Sequence, residues 1–197
     1  MRIGARTDRG IMSARALLLA LVLTLIAAPA AMAGPKAEIA LGAKFDCVNT
    51  DIVATPDNLD LVREALACLH NRTRAERRLR TLVNNRALAA AAVGHAQDMV
   101  ARGYFEHETP EGGHFDERVL ATGYARRADG WKIGENLIWA SGNLTTPAEL
   151  MNSWLASSGH RANILGRDYR ELGLGLTYGT PNGGPGVTIA AEFGRRR

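Results

Sequence analysis

The chain reads as an α+β domain in which helices pack on a small antiparallel sheet, and three observations predict this. Apolar residues recur at spacings of three and four through the first half. Two alternating apolar runs flank an Asn-Gly turn near the end. Helical patterns come first and strand patterns late, instead of alternating along the chain. At 197 residues there is one domain's worth of chain, long enough to bury a real core.

The elements follow in order. Residues 34–56 have few periodic apolar positions and read as an N-terminal arm. From Asp57 the pattern turns helical. Leu59, Val62, Leu66, Leu69 and Thr73 share a face, and Pro56 and Asp57 supply start signals. Arg72, Arg74, Arg77, Arg78 and Arg80 crowd the far end, where cations suit the helix dipole; they read as a solvated face. A second, alanine-rich helix is expected from Asn85 to Arg102, closed by Gly103. A short third one, Phe115 to Thr122, closes at Gly123. Thr146-Pro147-Ala148-Glu149 is a capping box with proline at the first helical position, and opens a helix through Leu150 and Trp154. The period then changes to two. Leu172, Leu174 and Leu176 form one run and Val187, Ile189 and Ala191 another, joined through Asn182-Gly183 as a hairpin, with Lys132 to Ala140 as a third strand. Trp131, Trp139 and Trp154 read mainly as core, with Trp139 also placed to line a cleft.

The first 33 residues are an address. Arg2, Arg6, Arg9 and Arg15 precede the apolar run Ala16–Ala28, and Ala31-Met32-Ala33 offers small residues at a cleavage site: a secretory signal peptide. The rival reading, a membrane anchor, fails on length, because the run is too short for ~30 Å of hydrocarbon at ~1.5 Å per residue. Met12 is a second candidate start, since a complete signal follows it. No cysteine follows Ala33 directly to take a lipid. The expected protein is therefore secreted, extracellular or periplasmic, with no membrane span after signal removal.

The same segment carries much of the basic excess. The whole chain has 24 basic and 20 acidic residues. Residues 1–33 hold four and one of these, leaving 20 against 19. Much of the rest of the high pI of 9.4 traces to Arg195-Arg196-Arg197. No basic stripe of the kind nucleic acid requires stands out, so nucleic acid is not an expected partner. Cys47 and Cys68 are the only cysteines. In an exported chain a pair reads as a disulfide, closing residues 47–68 and worth up to about 3 kcal/mol. A catalytic cysteine would need a neighbouring base, and only His70 lies near in sequence.

Chemistry concentrates in three glycine-punctuated segments: Gly103-Tyr104-Phe105-Glu106-His107, Gly134-Glu135-Asn136-Leu137 and Ser158-Gly159-His160-Arg161. His107 is a cleft candidate, the alternative being a loop histidine bonded to backbone. Glu135 sits mid-strand, a poor place for a carboxylate unless it is paired. His160 is a second cleft imidazole, or else bonds the turn around Asn163. His95 shares a helical seam with Ala91 and Met99 and reads as structural, and His114 as a cap neighbour; either is a weaker candidate fourth ligand. Glu149 is explained by its capping box. Asn71-Arg72-Thr73 and Asn143-Leu144-Thr145 fit the glycosylation pattern and are discounted, the first because it lies on a helix.

In order, Leu69–Asn71–Arg74, His95–Asp98–Met99, Gly103 to His107, Asp116–Arg118, Gly123-Tyr124, Gly134 to Leu137, Trp154, Gly159 to Leu165, Glu171 to Gly175 and Phe193-Gly194 resemble the CAP superfamily. That superfamily comprises cysteine-rich secretory, antigen 5 and pathogenesis-related 1 proteins. The likeness is closer to its short bacterial secreted members. It covers residues 57–194, leaving 195–197 as a basic tail. The resemblance implies an α-β-α sandwich with a cleft that holds two histidines and two glutamates in animal and plant members. His107 matches the first histidine, Glu135 the first glutamate, and His160 the histidine of the bacterial block. The second glutamate has no match: plant members carry it shortly after the tryptophan, where this chain has Ala156, Ser157 and Ser158. The eukaryotic His-Tyr-Thr-Gln block is also missing.

A triad of His107, Glu135 and His160 leaves two classes of function open. Two imidazoles and a carboxylate make a three-ligand divalent-metal site, zinc first, whose bound water can drop to a pKa near ~7 and attack a carbonyl or phosphoryl group. That is a metal-dependent hydrolase. Against it, no His-Glu-x-x-His helix and no Gly-x-Ser-x-Gly elbow occur. The favoured class is a monomeric binding module at or outside the cell envelope, holding a lipid, glycan or peptide in the His/Glu cleft.

Overall fold

The computed structural model describes residues 45–197, so the predicted signal segment and residues 34–44 of the predicted arm lie outside the described residues. The elements are α1 (Leu59–Glu76), β1 (Val83–Asn84), α2 (Arg86–Arg102), α3 (Phe115–Ala121), β2 (Trp131–Ala140), a 3₁₀ turn (Gly142–Thr145), α4 (Pro147–Ala156), α5 (Ser158–Ile164), β3 (Glu171–Tyr178) and β4 (Val187–Arg196). The sheet order is β1-β3-β4-β2. The three long strands are antiparallel, as expected, with Glu135 opposite Glu192 and Gly173 on the other side of Glu192. The two-residue β1 adds to β3 in parallel, which makes the sheet mixed.

Helices cover both faces, giving the α-β-α arrangement. On one face Val62, Leu66 and Leu69 of α1 and Leu150 and Trp154 of α4 pack on Leu172, Leu174, Ile189 and Phe193. On the other, α2 lays Leu88 and Ala91 near Ile133, and Ala92 and Met99 near Leu137 and Ala190. The alanines let α2 come close, and two glycines of β3 receive it. A Cβ at Gly173 would overlap Leu88 and the Ala89 nitrogen, and one at Gly175 would overlap the backbone of Ala92 and Val93. The caps follow the sequence signals. Asn85 Oδ1 accepts from the Ala87 and Leu88 amides, Gly103 closes α2 at φ +70°, and Thr146 accepts from the Glu149 amide at the start of α4.

Two expectations need correcting. Arg74 is fully buried rather than part of a solvated face. Its guanidinium donates to the carbonyls of Arg80, Ile164, Gly166 and Tyr169 at 2.6–3.4 Å and so ties α1 to the segment after α5. Arg72, Arg77, Arg78 and Arg80 are exposed. Of the three tryptophans only Trp154 is core; Trp131 and Trp139 are 43% and 39% exposed, at the two ends of the outermost strand.

That strand, β2, has a free edge, and free edges invite unwanted pairing. Here the outward carbonyls are capped by side chains. Tyr169 Oη donates to Ile133, Asn163 Nδ2 to Glu135 and Trp154 Nε1 to Leu137, at 3.1–3.3 Å. The edge is thus closed by α4, α5 and the loop that follows. Cys47 and Cys68 are joined as a disulfide that pins the residues before α1 to that helix. The Ala54 amide donates to Thr145 Oγ1 and the Ala148 amide to the Thr50 carbonyl, fastening the same segment to the start of α4. Among the described residues no helix is long and apolar enough to cross a membrane.

Candidate functional site

Glu135 lies mid-β2 on the face that carries Ile133 and Leu137 toward α2. It is the one acid of that strand, and its carboxylate is almost fully buried, with 1% side-chain exposure. Gly134 is a glycine because the Tyr169 hydroxyl and Asn163 Oδ1 occupy the place a Cβ would take. His107 comes from the loop between α2 and α3, which several bonds hold down. His95 Nε2 donates to the Glu106 carbonyl at 3.0 Å, Tyr104 Oη to Asp98 at 2.5 Å, and Arg118 Nη2 to the His107 carbonyl at 2.9 Å. His107 Nδ1 then donates to Glu135 Oε1 at 2.7 Å, and Arg118 Nη2 donates to Oε2 at 2.9 Å. Both oxygens of Glu135 are therefore engaged. With Nδ1 directed at Glu135 and the side chain about half exposed, His107 Nε2 is the ring nitrogen left for a ligand.

The electrostatics follow from this pairing. The hydrogen bond to Glu135 raises the pKa of His107 above its usual range, against the opposing effect of burial. Burial opposes the charged form of Glu135, but the bond from His107 and the Arg118 charge oppose it in turn and hold the carboxyl low. Glu192 behaves oppositely. It is completely buried, neither oxygen has a hydrogen-bond partner among the described residues, and burial together with Glu135 pushes its pKa far up. Two carboxyls side by side on adjacent strands thus separate, Glu135 toward the charged form and Glu192 toward the neutral acid.

Of the three expected site residues, the structure brings two into contact. His160 lies on α5 beside the capped edge of β2. There its carbonyl, not its ring, is tied, by Asn136 Nδ2 at 3.0 Å, while Asn163 bonds Glu135 and Asn136. Burial and then the charge on His107 lower the His160 pKa, so the two imidazoles feel one another; no hydrogen bond links the His160 ring to His107 or Glu135. Among the described residues no three His, Cys, Asp or Glu side chains stand where one metal ion could join them. His95 is buried and structural; His114 caps α3 and pairs with Glu108 at 3.0 Å. Arg118 and Glu192 were not among the expected site residues. For Glu192 the available signal was its place in the central β4, where helices on both faces leave no solvated side for a carboxylate.

A family model described as the cysteine-rich secretory protein family, CAP, matches residues 68–191. The Bacillus subtilis (strain 168) protein YkwD is 29% identical over 122 residues, covering 62% of this chain and 45% of that protein. An extracellular protein containing an SCP domain from Bacillus anthracis superposes with a TM-score of 0.56 at 25% identity, over 73% of this chain and 44% of the other. An outer surface protein of Borrelia burgdorferi superposes with a TM-score of 0.57 at 18% identity, over 74% of this chain and 97% of the other; that likeness concerns the fold. The chain spans less than half the length of YkwD and of the Bacillus anthracis protein.

Proposed function

Because the chain belongs to the CAP family of cysteine-rich secretory proteins, we propose that it is an exported binding module whose His107 cleft receives a glycan or a peptide. Export is supported by the basic and apolar leader with its Ala31-Met32-Ala33 site, by the disulfide, and by the likeness to a protein described as extracellular. The observation that carries the binding reading is the half-exposed His107 ring fixed by a buried carboxylate that Arg118 in turn anchors. Such an imidazole is oriented before any ligand arrives, which lowers the ordering cost of binding. The adjoining cavity of about 560 Å³ is lined by Tyr104, Glu106, His107, Glu108, Thr109 and Pro110. These side chains offer carboxylate, hydroxyl and imidazole groups that can bond glycan hydroxyls or peptide amides, set among apolar surface on which a sugar ring or side chain can rest. Binding to arrayed glycans and short peptides, compared between the native protein and His107→Ala, tests the reading. Loss of the captured ligand in the variant supports it, and identical profiles overturn it.

A second reading is a divalent-metal site, zinc first, and one observation favours it. A histidine whose Nδ1 is held by a carboxylate presents Nε2 as metal-binding histidines do. Glu135 would then orient His107 instead of serving as a ligand, leaving His107 and His160 as the protein donors. Among the described residues the three-ligand set of a hydrolytic zinc site is not met as folded. Zinc calorimetry with His107→Ala and His160→Ala decides: loss in both variants supports a two-imidazole site, and retention in either removes it.

A further inference from the structure

Three arginine-bearing segments distant in sequence converge away from His107: Arg126-Arg127 after α3, Arg170 before β3, and Arg196-Arg197 at the end of β4. They line a groove of about 810 Å³ together with Val83, Tyr124 and Glu171, and it shares no residue with the cavity at His107. The floor is fixed. Glu171 accepts from Asn85, Tyr124 and Arg196, the Arg196 guanidinium lies over the Tyr124 ring at 5.0 Å, and Arg170 Nη1 is held by the carbonyls of Arg167, Asp168 and Tyr169. Glu171 is the one carboxylate side chain among the lining residues, and it is already committed. The walls differ. Arg126, Arg127 and Arg197 are exposed and make no ion pair among the described residues, and Arg126 folds back over Gly123 toward the groove. A concave site with several cations and one spent anion concentrates positive potential, which draws anions.

We propose that this groove binds a chain or headgroup bearing two or more phosphates. Five guanidinium groups around one cavity exceed what a single carboxylate can match. Phosphates carry more charge per group and accept the planar donor fork of arginine in pairs. Glu171 and Tyr124 form the rigid base, and Arg126, Arg127 and Arg197 are the arms that close on the ligand.

Inorganic tripolyphosphate is the first probe, titrated into the purified full chain by calorimetry. Arg126→Gln with Arg127→Gln should weaken binding by about tenfold or more, since two exposed charge-assisted donors are lost. The control is Arg77→Gln with Arg78→Gln, which removes the same charge from the exposed end of α1 and should change binding less than about twofold. Cardiolipin vesicles, whose headgroup carries two phosphates, distinguish the source: sedimentation competed by tripolyphosphate assigns a lipid headgroup, and tripolyphosphate binding without sedimentation assigns a soluble phosphate chain. Equal weakening by both variant pairs, equal binding of a sulfated oligosaccharide, or no tripolyphosphate binding at low salt overturns the proposal.

Discussion

Replacing Arg118 by methionine keeps most of the aliphatic stem and removes the one cation bonded to Glu135 Oε2. The Glu135 side chain is 1% exposed and that of Arg118 16%, so solvent screens the pair little. Breaking a buried ion pair by deleting one partner costs ~3–5 kcal/mol. His107 still holds the other oxygen, which puts the expected loss at the lower end, about 3 kcal/mol near pH 7. The sign with pH follows from the carboxyl. The folded pKa of Glu135 lies below its ordinary 4.5, so its contribution is present above that value and is lost as pH falls through the folded pKa. Without Arg118 the carboxyl protonates more readily, and the deficit of the variant should shrink at pH 4. Arg118→Lys should fall between, because the ammonium keeps the charge but sits on a shorter stem than the Nη2 that serves Glu135 and the His107 carbonyl together. Urea unfolding of the three proteins at pH 7 and pH 4 is the assay. A loss under about 1 kcal/mol at pH 7, or an equal loss at both pH values, would refute the reasoning.

Other consequences are as direct. Reduction of Cys47–Cys68, or Cys68→Ser, should lower stability by up to about 3 kcal/mol through the loop it closes, measured by unfolding with and without reductant. His70 is fully buried, and burial drops its pKa from 6.5 to about 4. A depressed histidine contributes stability that is full above 6.5 and is lost as pH falls toward 4, about 3 kcal/mol across that window; comparison with His70→Phe isolates this share of the pH slope. Gly175→Ala should cost about 3 kcal/mol in thermal or urea unfolding, because its Cβ meets the backbone of α2 and not a side chain that can turn away.

Helices α1 to α4 and the three long strands were legible because their signals are local, whereas the short α5 (Ser158–Ile164) was not expected as a helix. Proline and threonine mark the start of α4, glycine ends α2, and two leucine and β-branched runs alternate around Asn182-Gly183. The pairing of Glu135 was legible in kind, since a mid-strand carboxylate demands a partner, but neither Arg118 nor the contact with Glu192 follows from spacing. Strand register brings the two glutamates together, and register is a long-range property. Arg74 misled for a related reason. A run of arginines at a helix end looks solvated, and only the fold shows that one of them meets four orphaned carbonyls. Trp131 and Trp139 looked like core by size alone, yet they stand on an edge strand.

The most direct measurement is an NMR titration of the His107 ring in the native protein and in Glu135→Gln. If the site is an imidazole held and charged by a buried carboxylate, His107 titrates above 6.5 in the native protein. In the variant it then falls to or below that value, because partial burial remains without the compensating charge. A native pKa at or below 6.5 that does not move in Glu135→Gln would contradict the account.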